Sequence, residues 1–109
     1  MHRSYINCAI ASGGTVSSMA SGLGMSLAGV FTDKNFSGGS LTLQVQDPSG
    51  SFTGKPATQS GGTFTLTISS NGFAAVPKDI GVPIEYVQFI SDTTQGATPA
   101  QLKSVWVDI

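Results

Sequence analysis

One histidine, His2, and one cysteine, Cys8, are the only side chains in this 109-residue chain with nucleophilic or general-base character near neutral pH. Serines number 15, but a serine nucleophile needs a base beside it and a third group to orient that base. His2 sits among the first residues with nothing in the pattern to orient it. Six carboxylates remain: Asp33, Asp47, Asp79, Glu85, Asp92 and Asp108. An acid–base pair needs two of them to converge; no spacing predicts that, and most stand in turn-like sequence, so they read as solvated turn residues. A calcium ion at a loop rim made by Asp33, Asp79 or Asp92 is the alternative left open. The Gly-Gly sites are not phosphate loops, because none is followed by a Lys-Ser/Thr pair and none opens a helix. The chain therefore reads as a protein without catalytic residues and without a cofactor.

The composition points the same way. Charged residues are 10% of the chain, and 40 of its 109 residues are Ser, Thr or Gly. With five basic residues against six acidic ones, a phosphate-backbone binder is not expected, so nucleic acid is excluded as a partner. No run of about 18 apolar residues predicts a membrane span. An exterior of Ser, Thr, Gly, Gln and Asn with a net charge of −1 favours association over colloidal separation. A homo-oligomer, dimer or trimer, is expected, with an interface only weakly sensitive to salt. A lone cysteine makes no internal disulfide, and Cys8 alternates with Ile6 and Ile10, so it reads as a small buried hydrophobe in a protein synthesised in a reducing cytoplasm. The stretch Met1–Ala11 is too short and too interrupted, by Asn7, for a signal peptide and reads as a first strand.

The elements that must carry these residues follow from a period of two. Ile6, Cys8 and Ile10 share a parity, as do Leu41, Leu43 and Val45, then Phe64, Leu66 and Ile68, and Val87 with Phe89. Met25, Leu27 and Phe31 fall on one parity, and Val105, Val107 and Ile109 on another, which leaves Trp106 on the opposite face of the last strand. The core predicted from these parities is Ile10, Leu27, Leu43, Val45, Phe64, Leu66, Val87, Phe89 and Val107, with Phe31 of matching parity. Turn chemistry separates the strands: Ser12-Gly13-Gly14, Ser37-Gly38-Gly39 and Ser60-Gly61-Gly62; Asp47-Pro48-Ser49-Gly50 as a type I turn; Asn71-Gly72 as a type I′ hairpin turn. Ser17–Leu23 could hold a helical turn and no more. One domain over residues 1–109 is predicted, all-β, an antiparallel β-sandwich or jelly-roll-like fold of seven or eight short strands with little or no helix, and residues 1–4 a possible N-terminal arm.

The order of the segments resembles small structural proteins of tailed bacteriophages, β-sandwich proteins with head-decoration (cement) roles. The residues that carry the resemblance run from Ile10-Ala11-Ser12-Gly13-Gly14-Thr15-Val16-Ser17 through Leu27-Ala28-Gly29-Val30 and Phe36-Ser37-Gly38-Gly39-Ser40-Leu41-Thr42-Leu43-Gln44-Val45. They end with Phe73-Ala74-Ala75-Val76-Pro77 and then Glu85-Tyr86-Val87-Gln88-Phe89-Ile90-Ser91. The resemblance covers roughly residues 6–92; Ala97–Ser104 matches only loosely and Trp106 stands outside the pattern. It implies a virion component on the capsid exterior that binds the major capsid protein, with no catalytic residues. The expected contacts with capsid or neighbour are the N-terminal segment Met1–Tyr5 and the C-terminal strand Val105–Ile109. Met1, Arg3, Tyr5, Tyr86 and Trp106 are the candidate interface residues, because large apolar side chains and arginine concentrate at interface cores. Two alternatives stand beside this reading: a neck, tail or fibre-base module of the particle, and a carbohydrate-binding jelly roll with Trp106 or Tyr86 stacked on a sugar.

Overall fold

A computed structural model of the chain describes residues 2–22 and 24–108. Nine strands and one helical turn follow in order: β1 (Arg3–Ile10), β2 (Ala20–Ser21), β3 (Ser26–Thr32), β4 (Ser40–Gln46), β5 (Thr53–Gly54), β6 (Thr65–Thr67), β7 (Phe73–Ala75), α1 (Lys78–Gly81), β8 (Tyr86–Ser91) and β9 (Ala100–Val107). They form two antiparallel sheets. One has four strands in the order β1-β9-β3-β7; the other runs β2-β8-β4-β5, with β6 sharing the same flank of β4. The fold is the antiparallel sandwich that the period-two pattern predicts.

Alternation puts one face of each strand inside. Cys8 and Ile10 from β1, Leu27 and Val30 from β3, and Ala100, Leu102 and Trp106 from β9 meet Leu41 and Leu43 from β4, Leu66 from β6, and Val87 and Phe89 from β8. Of the predicted core, Ile10, Leu27, Leu43, Leu66, Val87 and Phe89 are buried, while Val45 and Phe64 are half-buried and pack against it.

Two parities come out inverted. In β3 the register against β9 slips between Leu27 and Gly29, a β-bulge with Ala28 as the extra residue. Leu27 is inside before the bulge and Val30 after it, which turns Phe31 outward with 42% of its surface exposed. In β9 the even residues face the core, not the odd ones: Trp106 is fully buried and Val107 is only half-buried. Ser104 explains why the pattern misleads. It is a fully buried polar residue in the middle of the inward face; its hydroxyl donates to the Ile6 carbonyl at 2.9 Å and accepts the Trp106 indole N–H at 2.8 Å. A hydrogen-bonded hydroxyl is tolerated in a core, but it breaks the apolar alternation that sequence reading depends on. Gly22 is tied to the same ring, because a Cβ there would collide with the Trp106 indole.

The turns differ from expectation at two places. Gly50 donates to the Asp47 carbonyl at 3.0 Å, closing the expected turn between β4 and β5. Asn71 has a left-handed φ of 53°, but Gly72 has no positive φ, so the type I′ hairpin is not formed. The segment instead carries the chain from one sheet to the other, from β6 to β7. Thr32 holds it in place, donating to the Ser69 carbonyl and accepting the Gly72 N–H. The only helix among the described residues is α1, after Pro77, and Ser17–Ser21 instead carries a bridge to β1 and strand β2. The expectation for Ile109 lies outside the described residues, as does the Leu23 end of the Ser17–Leu23 segment.

Candidate functional site

Three of the carboxylates, Asp33, Asp47 and Asp92, accept backbone N–H groups of turns. Asp92 accepts the Gly39 N–H at 3.1 Å and the Ser40 N–H at 3.4 Å. Asp33 accepts the Asn35 N–H, and Asp108 accepts the His2 N–H. Asp47 accepts the Ser49 hydroxyl at 2.6 Å and the Phe52 N–H at 2.9 Å, which together hold its carboxyl below the usual range. Asp79 and Glu85 are exposed. No group of three or more His, Cys, Asp or Glu gathers among the described residues. Cys8 is buried, and burial pushes its thiol up to about 11, only partly offset by its hydrogen bond with Ser17; a thiol so rarely ionised is a poor nucleophile.

The exposed apolar surface is more informative. On the four-stranded sheet the outward residues lie in rows set by register: Tyr5 of β1 is opposite Val105 of β9, and Val105 is opposite Gly29 of β3. The next row holds Asn7, Lys103, Phe31 and Phe73. Tyr5, Phe31 and Phe73 are 52%, 42% and 51% exposed. Phe31 and Phe73 stack at 4.5 Å between ring centres with a 45° tilt. Gly29 makes room for that pair, because a Cβ there would stand 2.5 Å from the Phe73 ring. Between Tyr5 and Phe31 runs an open groove of about 670 Å³, lined also by Asn7, Thr32, Asp33, Gln101, Leu102 and Lys103. The opposite sheet presents a different exterior: Thr42, Gln44 and Gln46 on β4, paired with Ile90, Gln88 and Tyr86 on β8. One face of the sandwich is thus aromatic and the other is largely amide and hydroxyl.

The candidate interface residues separate accordingly. Arg3 and Tyr5 lie on the outward side of β1, opposite Val107 and Val105. Tyr86 is half-buried on the other sheet, opposite Gln46 and Ser21. Trp106 is in the core and offers its ring neither to a sugar nor to a partner. Met1 lies outside the described residues. The residues missed were Phe31, assigned to the core by parity, and Phe73, which stands only in the Pro-containing approach to a later strand; Gly29, a glycine inside a strand pattern, was the available signal of a close approach.

A second cluster ties the loops at one end of the sandwich. Gln95 is buried, its amide oxygen accepts the Ser37 N–H at 2.8 Å, and its amide nitrogen donates to the carbonyls of Ser37 and Thr93. Its own backbone pairs with Gly13 and Gly14. Two of the three Ser-Gly-Gly turns therefore meet on one glutamine. Gly38 has a φ of 130° there, and a Cβ on it would stand 2.5 Å from Asp92 Oδ1.

No protein-family model, curated protein or solved structure matches the chain. Among the described residues, no helix is long and apolar enough to cross a membrane.

Proposed function

We propose that this chain is a non-enzymatic binding protein of a phage particle, a decoration protein that sits on the exterior of the major capsid shell and clamps neighbouring subunits. The observation that carries the reading is the aromatic face: Tyr5, Phe31 and Phe73 exposed on one sheet of a chain with 10% charge. Monomeric proteins seldom leave such a patch open to water, and rigid aromatic anchors suit a protein partner. The strand orders β1-β9-β3-β7 and, following β6 rather than β5 beside β4, β2-β8-β4-β6 support reading the sandwich as a jelly roll, a fold used by viral capsid proteins and by lectins. Such folds host many functions, so the aromatic face and not the architecture points to the partner.

Quantitative mass spectrometry of particles purified from the producing host tests the reading. Hundreds of copies per particle support capsid decoration. Six to a few dozen copies would move the protein to a neck, tail or fibre-base position, and its absence from particles would sink the proposal. Phe73→Ser should weaken binding to empty shells by at least about tenfold without unfolding the protein, since an aromatic anchor is worth about 2 kcal/mol.

One observation favours a second reading. The groove between Tyr5 and Phe31 combines two aromatic walls with Asn7, Asp33, Gln101 and Lys103, a mixture of stacking surface and hydrogen-bonding groups suited to a sugar. Glycan-array binding that is lost in Tyr5→Ala would favour that reading over the shell.

A further inference from the structure

We propose that a second copy of this chain pairs with the free edge of β1, joining two four-stranded sheets into one continuous eight-stranded sheet about a two-fold axis at Tyr5.

Successive residues of β1 turn their backbone N–H and C=O groups to opposite sides of the strand. Toward the inside of the sheet, β1 pairs along its whole length with β9. Toward the outside, Ala9 is already taken: its carbonyl accepts the Ser18 N–H at 3.1 Å and its N–H donates to the Ser18 hydroxyl at 3.3 Å. Alternation in an antiparallel ladder makes Arg3, Tyr5 and Asn7 the other outward residues, and among the described residues nothing pairs with their N–H and C=O groups. The other strands at sheet margins are two or three residues long, whereas β1 has eight.

Proteins usually protect such an edge with lysine, proline, a bulge or an inward charge. Residues 3–7, Arg-Ser-Tyr-Ile-Asn, contain none of these except one terminal arginine. The register is then restricted by charge and by space. Centring the two-fold on Arg3 would set two arginines face to face. Centring it on Asn7 would drive Ala9 of each copy toward a partner although Ser18 already occupies its edge. Centring it on Tyr5 places Arg3 of each copy opposite Asn7 of the other and Tyr5 opposite Tyr5. All three free residues are then used, forming about six inter-strand hydrogen bonds. Side chains alternate, so the two tyrosines meet on the aromatic side. The row from Tyr5 through Val105 to Gly29 continues into the same row of the second copy. Such a dimer needs little charge, and its assembly does not depend on the shell reading.

Sedimentation equilibrium over a concentration series tests the inference, with circular dichroism checking the fold. The parent should be a dimer, largely insensitive to salt. Asn7→Pro deletes an outward N–H and leaves the β9 ladder intact; it should raise the dissociation constant by about 100-fold. Phe73→Ser alters the aromatic face far from the edge and should leave the dimer unchanged. Tyr5→Cys should cross-link two copies under mild oxidation, because directly paired residues have Cα atoms about 5.5 Å apart. This readout holds even if Asn7→Pro fails to fold, and the buried Cys8 does not compete. A monomer or trimer at the highest soluble concentration, dissociation by Phe73→Ser, or failure of Tyr5→Cys to cross-link would each overturn the proposal.

Discussion

Replacing Trp106 with alanine probes the centre of the sandwich. The ring is fully buried, it fills the space that the missing Cβ of Gly22 leaves, and its N–H is bonded to a serine that is itself buried. Burying an aromatic side chain of about 200 Å² stabilises by up to about 5 kcal/mol at 25 cal/mol per Å². Measured Trp-to-Ala changes in cores cost about 3–5 kcal/mol. The lost hydrogen bond adds about 1 kcal/mol, a limited amount because Ser104 keeps its bond to the Ile6 carbonyl. A domain of this size has about 5–15 kcal/mol in all, so Trp106→Ala removes a large share of it. Trp106→Phe keeps most of the ring and should cost about 1–2 kcal/mol. The assay is urea unfolding followed by far-ultraviolet circular dichroism, since the variants lack the only tryptophan. With a slope of about 2 kcal/mol per molar, the alanine variant's midpoint should fall by about 2 M. A midpoint within about 0.3 M of the parent would refute the placement of Trp106 and, with it, the inward parity of β9.

Gly22→Ala should destabilise the parent by about 1–3 kcal/mol, because a buried indole cannot move aside, yet it should be nearly neutral in a Trp106→Ala background; additive effects in the double-mutant cycle would contradict the contact. Gln95→Ala strands the Ser37 N–H and should cost about 1–3 kcal/mol, lowering Tm by about 5–15 °C, with faster hydrogen exchange at Ser37 as the local readout; an unchanged Tm would mean that the loops are held otherwise. The Cys8 thiol, raised to about 11 in the fold, contributes stability that is fully present below about pH 9 and is lost as pH rises toward 11. The loss should be of order 2 kcal/mol and absent from Cys8→Ala, and the same pH series run on both proteins isolates it from lysine and tyrosine titration. At pH 8 a thiol reagent should label Cys8 only after urea unfolding, and rapid labelling of the folded protein would contradict its burial.

The amino-acid sequence by itself determined the strand chemistry of this protein. Period-two alternation in residues 41–45, 64–68 and 84–90 has one stable solution, a half-buried strand, and the Gly-Gly and Asp-Pro turns set where those strands end. It also determined the sparse charge and the burial of Cys8, both read from residue type and parity. The tertiary structure decided which way two strands face and which residues gather. An extra residue in β3 inverts every side chain beyond it; Gly29 marks an irregularity, but which residue is extra is defined only against the partner strand β9. Ser104 reads as solvent-facing until Ile6 and Trp106 are brought to it from a different strand and from two residues along its own. The aromatic face and the Gln95 junction have the same origin: Tyr5, Phe31 and Phe73, or Gly13, Ser37 and Gln95, are far apart along the chain. They become neighbours because strands from opposite ends of the sequence pair in one sheet, and long-range pairing is information that local pattern does not carry.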